Sequence, residues 1–421
     1  MEATFYSLLF LIIYCYFGYP VLIYLFASLF TNRIDKSPIE PTISIIIAAY
    51  NEEDCIKAKI LNLLSVDYPA ALIEIIVGSD GSTDQTNQIL KAIKSPLLSV
   101  YKYSERRGKM ATVNDLVAQA KNEILIFTDA RQSFNSDTIR ELVANFHDPT
   151  IGCVSGELYF KVLTDGGTAK GINMYWNYEK FLRRYESQFH SMLGATGAIY
   201  GIRRELFTPI PAEVVLDDMF VPLKITEKGF RTIFDAKANV YDIVSDNPSE
   251  EYRRKVRTLY GNYQIFNLFS GLFNPFTSPV AIQLFSHKLL RVVLPFFLIS
   301  LFGINILLFN TSATYQIFMI AQISFYLLAG VGILTKDSQS ARLKIVSKIS
   351  YIPYVFCLLN FSALAGFLRL VQNKQAATWE KAKENQPLEF YDLTQPQEHG
   401  DIPIIQQLLS DEVGASHTQD N

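Results

Sequence analysis

Carboxylates stand where apolar runs end. Residues 41–54 read PTISIIIAAYNEED, 73–84 read IEIIVGSDGSTD and 124–131 read ILIFTDAR, each passing from β-branched residues into a polar, turn-forming stretch. Strand ends of this kind form the crevice in which open α/β sheets bind nucleotides, so these segments point to a nucleotide-using domain. Arg107-Gly108-Lys109 then opens a helical pattern. Glycine lets the backbone approach a ligand, and a helix N-terminus beside basic side chains suits a diphosphate. Farther on, Leu216-Asp217-Asp218 places two adjacent carboxylates at another helix start, where like-charge repulsion raises a carboxyl pKa.

These residues need a sheet to hold them. Strands are expected at Ile43–Ala48, Ile73–Gly78, Leu98–Lys102 and Ile124–Thr128, with helices at Glu53–Leu64, Asp84–Ile93 and Lys109–Ala120. The alternation implies an α/β domain with a mostly parallel sheet covered by helices. Residues 169–190, Asp218–Lys228 and Ser249–Phe269 read as further helices.

Apolar spans bracket this domain. Phe5–Phe30 carries no charged residue and, at about 1.5 Å per residue, exceeds the roughly 30 Å hydrocarbon core of a bilayer. With no basic region before it, it reads as a transmembrane helix and not as a cleaved signal peptide. Leu289–Phe309, Tyr315–Leu334 and Ile349–Val371 are each close to the ~20 residues a spanning helix needs. Residues 266–286 are aromatic but broken by Gly271, Pro275 and Pro279, which suits an interfacial segment lying along the bilayer. Arg33 and Lys36 follow the first span while Glu2 alone precedes it, so the domain at 40–265 is expected in the cytoplasm. Lys374, Lys381 and Lys383 leave the side of the C-terminal tail open, and the polar stretch 386–421 reads as disordered.

Composition narrows the choice. The 421 residues are 49% hydrophobic and carry a net charge of −3, which gives no reason to expect nucleic acid as a partner. Cys15, Cys55, Cys153 and Cys357 lack metal or redox spacing, and the five histidines are equally scattered, so a histidine-bound metal is not expected.

The order and spacing of the polar strand ends resemble the family 2 glycosyltransferases, in particular the membrane-integrated branch of cellulose, chitin, hyaluronan and poly-N-acetylglucosamine synthases, over roughly residues 40–265. The resemblance implies a GT-A fold and a role for each motif. Ala49, Tyr50 and Glu52 would frame the uridine of a UDP-sugar, and Asp80 in Asp80-Gly81-Ser82-Thr83-Asp84 would accept a hydrogen bond from the uracil imide. Where the family often has a further aspartate, this chain has Ser79. Lys109 falls on the family's glycine-lysine pair. Asp129-Ala130-Arg131 stands where DxD is usual, leaving Asp129 to hold a divalent cation, Mg2+ or Mn2+, with Arg131 supplying positive charge directly. Asp218 takes the place of the catalytic base of the family's TED, and Gly194, Thr196, Gly197 and Asp217 that of the acceptor pocket. The family's polymerising QxxRW becomes Arg254-Lys255-Val256-Arg257-Thr258. Arg254 and Arg257 share a helix face and keep the diphosphate contact, but the stacking tryptophan is lost unless Tyr260 or Tyr263 replaces it.

By resemblance, the chain is an inverting glycosyltransferase of exopolysaccharide or cell-surface glycan synthesis, moving sugar from a UDP-sugar to a glycan or lipid-linked acceptor in a bacterial cytoplasmic membrane. Transfer to polyprenyl phosphate and a non-catalytic nucleotide-sugar sensor are the competing expectations. The joint presence of Asp80, Asp129 and Asp218 argues against the sensor.

Overall fold

Ile43, Ile45, Ile46 and Ile47 are all buried, on both faces of one strand, so that strand must lie inside a sheet covered by helices on both sides. The computed structural model describes residues 1–161, 167–243, 248–335 and 341–372 and places this strand third in an eight-stranded sheet. The strands are β1 (Ile43–Ala49), β2 (Ile73–Asp80), β3 (Leu98–Tyr103), β4 (Ile124–Phe127), β5 (Ser133–Phe134), β6 (Ile151–Lys161), β7 (Tyr200–Arg203) and β8 (Arg231–Ile243), in the order β3-β2-β1-β4-β7-β6-β8-β5. The first half, β3-β2-β1-β4, is parallel throughout. The second half is mixed: β7 runs antiparallel to β4 and β6, β8 is parallel to β6, and β5 is antiparallel to β8.

The helices are α1 (Glu2–Leu29), α2 (Ile56–Leu64), α3 (Thr86–Ala92), α4 (Lys109–Gln119), α5 (Thr138–Val143), α6 (Gly167–Phe189), α7 (Asp217–Glu227), α8 (Pro248–Leu268), α9 (Ala281–Leu308), α10 (Ala313–Thr335) and α11 (Ala341–Val371). Met110, Val113 and Leu116 of α4 join Ile46, Ile76 and Phe127 in the main core. A Cβ on Gly78 would meet the Thr112 side chain at 2.6 Å, so α4 lies directly on β2 and its first turn reaches the strand ends.

Among the described residues, four helices are long and apolar enough to cross a membrane: Glu2–Leu29, Ala281–Leu308, Ala313–Thr335 and Ile349–Val371. Tyr19 and Ile23 of α1 pack on Leu182 of α6. The Tyr19 hydroxyl donates to Glu186 at 2.6 Å, and buried His287 of α9 bridges Glu186 and Glu179, with Arg291 on the other oxygen of Glu179. A buried acid is tolerated when it is hydrogen-bonded and paired, and this cluster fastens α6 to two of the apolar helices. Between α8 and α9 the chain makes a short 3₁₀ turn at Ser270–Phe273 and leaves Phe276 94% exposed. The tail expected at 386–421 lies outside the described residues.

Candidate active site

Because β1 pairs with β2 at Ala49↔Ser79 and with β4 at Ile46↔Phe127, Tyr50, Asp80 and Asp129 emerge along one sheet edge. They line a crevice of about 420 Å³, open mouth included, with Ala49, Gly108 and Lys109. Asp80 is buried, and its two oxygens accept from the backbone N–H groups of Arg107 and Gly108, both at 2.8 Å. It thereby shapes the loop that leads into α4. Gly108 at φ +95° makes that turn possible, since an L side chain is strained there. Arg106 stacks over the Tyr50 ring at 3.9 Å and forms a wall of the crevice. Arg107 turns outward onto Tyr103 and pairs with Asp115 at 2.7 Å.

Asn51 braces the loop after β1. It sits at φ 55° and its side-chain oxygen accepts from Thr83 N at 2.8 Å, joining the β1 and β2 loops. Glu52 is buried outside the crevice lining, where the Cys55 thiol donates to it at 3.1 Å.

Across the crevice, the Lys109 ammonium lies 3.1 Å from Asp129 Oδ1 and 3.0 Å from Asp217 Oδ2. Burial alone would lower the Lys109 pKa, but Asp129 and Asp217 outweigh it and hold the ammonium well above its ordinary value. Asp218, beside Asp217 at the start of α7, is pushed up to about 6 by burial and by Asp217, against the pull of Lys109 and Arg183.

The segment 194–197 ties these groups together. Ala195 N donates to Asp218 O at 2.7 Å, and Thr196 N donates to the Ser155 hydroxyl on β6 at 3.0 Å. Gly194 abuts the same carbonyl, 3.3 Å from where its Cβ would be. A Cβ on Gly197 would lie 3.7 Å from Asp129 Oδ2 and 3.7 Å from Asp218 Oδ2. Both carboxylates therefore border the small space beside Gly197.

Other sequence candidates lie one layer out. Arg131 Nη2 is 3.3 Å from Asp242 Oδ2, on β8, and Gln132 Nε2 reaches the same oxygen at 2.9 Å. Burial opposes the Arg131 charge, while Asp242, Asp129 and Glu52 raise its pKa further. Arg257 Nη2 reaches Val215 O at 3.4 Å, and Gln264 clasps the same segment, accepting from Val215 N at 3.0 Å and donating to Glu213 O at 2.7 Å. Helix α8 thus holds the residues that launch α7. Arg254, one turn earlier on α8, is exposed. Tyr263 donates to Val292 O at 3.0 Å and is buried against the apolar helices, which removes it as a sugar platform.

Sequence reasoning missed Lys59, whose ammonium is buried beneath the loop carrying Asp129. The signal was present: in IKAKILNLL it shares the apolar face of Ile56, Ile60 and Leu63.

Residues 44–210 match the family described as Glycosyl transferase family 2. A poly-β-1,6-N-acetyl-D-glucosamine synthase of Staphylococcus aureus (strain MSSA476) is 23% identical over 232 residues, 53% of this chain and 55% of the relative. An N-acetylglucosaminyltransferase of Azorhizobium caulinodans is 23% identical over 248 residues, 55% of this chain and 62% of the relative. The chain thus spans a little over half the length of these curated relatives. Among solved structures, the mannosyltransferase PcManGT from Pyrobaculum calidifontis, in complex with GDP-Man and Mn2+, is similar with a TM-score of 0.67 at 21% identity, over 89% of this chain and 99% of that one. The fold is therefore of the GT-A type. Within it, residues 44–210 carry the similarity to family 2 glycosyltransferases.

Proposed function

We propose that the chain is an inverting glycosyltransferase that moves a sugar from a UDP-sugar to a glycan or lipid-linked acceptor at a membrane. The observation that supports this most is the approach of Asp129 and Asp218 to the Gly197 position, each at 3.7 Å, so that their oxygens are no more than twice that distance apart. Two carboxylates that near each other can serve one sugar carbon, Asp129 on the side of the leaving diphosphate and Asp218 on that of the acceptor hydroxyl. Asp218 takes the hydroxyl proton as the acceptor oxygen bonds to the anomeric carbon, and the bond to the diphosphate breaks on the opposite face. An α-linked donor then gives a β-linked product. With a pKa near 6, Asp218 is ionised at neutral pH yet more basic than an ordinary aspartate.

The donor side follows the crevice. Ala49, Tyr50 and Asp80 receive the uridine, Asp80 using lone pairs left over from its two backbone bonds. Lys109 and the N-terminus of α4 meet the diphosphate, while Arg131, Arg254 and Arg257 add positive potential from farther out. Among the described residues no group of three or more His, Cys, Asp or Glu side chains could hold a metal ion. One carboxylate with diphosphate oxygens and waters is nevertheless a donor set that Mg2+ or Mn2+ accepts, and Asp129 Oδ2, turned to Gly197 and outside the Lys109 pair, fits it. When bound, the ion neutralises charge on the leaving diphosphate. Gly194, Thr196, Gly197 and Asp217 line the acceptor side. The segment between α8 and α9, with exposed Phe276, rests on the bilayer surface, and the catalytic domain faces the cytoplasm at a bacterial inner membrane, a reading that the charge bias around the first span supports for the side.

Purified protein incubated with radiolabelled UDP-N-acetylglucosamine, UDP-glucose and GDP-mannose tests the reading. Transfer from a UDP-sugar is expected, with Asp218→Asn abolishing transfer while UDP affinity stays nearly intact. Preference for GDP-mannose would overturn the nucleotide assignment, and loss of UDP binding in Asp218→Asn would move the base to another carboxylate.

A further inference from the structure

Helix α2 turns Ile56, Ile60 and Leu63 into the core, and Lys59, on the same face, is 1% exposed. An ammonium in that position loses its hydration, and an aliphatic side chain would pack there at lower cost, so its presence calls for a compensating role. Its three N–H directions are all met: Thr128 Oγ1 accepts at 2.9 Å, Gln132 O accepts at 2.8 Å, and the face of Phe134 lies with its centroid 4.0 Å away. Thr128 and Gln132 are the two ends of the loop that joins β4 to β5, and Asp129 and Arg131 lie between them. One side chain therefore fastens both ends of the loop. Thr128 passes the connection on, since its hydroxyl donates to Ala198 O at 2.8 Å, next to Gly197. On the other end, the Gln132 side chain bonds Asp242, the same carboxylate that pairs with Arg131.

We infer that Lys59 is a positioning residue, a buried clasp that holds the 128–132 loop so that Asp129 stands at a fixed distance from Gly197 and presents its outer oxygen to the metal–diphosphate. The inference rests on the donor-site reading above. Burial lowers the Lys59 pKa to about 7, against the pull of Asp129, Cys55 and Asp242. Side chains that orient a metal ligand without touching the metal typically cost about 10- to 100-fold in metal affinity when removed.

The test is calorimetric titration of the purified full chain with UDP, with and without Mn2+, for Lys59→Met, Thr128→Val, Thr128→Ser and Asp129→Ala, alongside the Mn2+ concentration for half-maximal activity. Lys59→Met and Thr128→Val should each weaken Mn2+-dependent UDP binding about tenfold and raise the Mn2+ requirement to match, with kcat at saturating donor and metal changed less than threefold. Thr128→Ser, which keeps the hydroxyl, should bind as wild type. Thr128→Val keeps the test alive if Lys59→Met does not fold. Wild-type binding by both clasp variants, while Asp129→Ala loses it, would overturn the clasp and leave the donor site standing. Equal losses with and without Mn2+ would also overturn it, because Lys59 would then support the fold at large. Undiminished Mn2+-dependent binding in Asp129→Ala would overturn the donor-site reading and the clasp with it.

Discussion

Asp218 acts as a base only when ionised, and burial beside Asp217 has raised its pKa from 3.8 to about 6. Transfer by the wild-type enzyme should therefore fall with a one-proton slope as pH drops through about 6, measured as kcat across pH 5–8 at saturating donor. A flat profile over that range would remove Asp218 from the chemical step. The same shift has a cost for stability, and its sign is the reverse of a salt-bridged aspartate. Below about 3.8 the carboxyl is neutral in folded and unfolded chains alike; above that only the unfolded chain ionises freely, and the penalty is complete above about 6. Asp218→Asn should then be more stable than wild type at pH 7.5, by on the order of 1–3 kcal/mol, and melt with the wild type at pH 3. Asp80, Asp129 and Asp218 were legible in sequence because each interrupts an apolar pattern at a strand end or helix start. Lys59 was harder to read: its place on the apolar face of α2 is a signal, but beside exposed Lys57 it looks like a second solvated lysine until the packing of α2 is known.

At the level of elements, the acceptor side depends on α8. Gly261 faces the Leu216 side chain so closely that a Cβ would stand 2.5 Å from its Cγ, and Gln264 holds Val215 and Glu213 one turn on. Gly261→Ala should push Leu216, and with it the start of α7, out of place. A small displacement of a catalytic group is expensive, so kcat should fall about tenfold or more, with the UDP dissociation constant within twofold of wild type. Parallel loss of UDP binding would show that α8 supports the whole domain and not the base alone. The parallel half of the sheet was readable because its strands are short and the first three are each followed by a helix. β6 and β8 were not. Their sequences, IGCVSGELYFK and RTIFDAKANVYDI, carry buried charges whose partners come from elsewhere: Glu157 pairs with Lys180, and Asp235 with Lys36 at 2.7 Å. Such strands look polar until the distant partner is known.

Over the whole molecule, the arrangement of α8 against the apolar helices bears on how long a product can grow. A Cβ on Gly366 of α11 would stand 3.0 Å from Tyr260 N and 3.3 Å from Leu259 C, so α8 is pressed closely against the last apolar helix. Thr258 is exposed on this helix, its hydroxyl returned to Arg254 O at 3.0 Å, and Tyr263 is committed to Val292 on the membrane side. Of the rings weighed as substitutes for a stacking tryptophan, Tyr260 alone remains. A sugar chain held without that platform forgoes, by analogy with aromatic pairs, about 0.5–1.5 kcal/mol per stacked contact, which corresponds to roughly two- to tenfold in residence. Short or single-addition products are therefore expected from the wild type, and Thr258→Trp should lengthen them by a similar factor, read by sizing labelled product at limiting enzyme. Long homopolymer made by the wild type in one encounter would sink this proposal and transfer the stacking role to Tyr260, in which case Tyr260→Ala should shorten the chains that Thr258→Trp fails to extend.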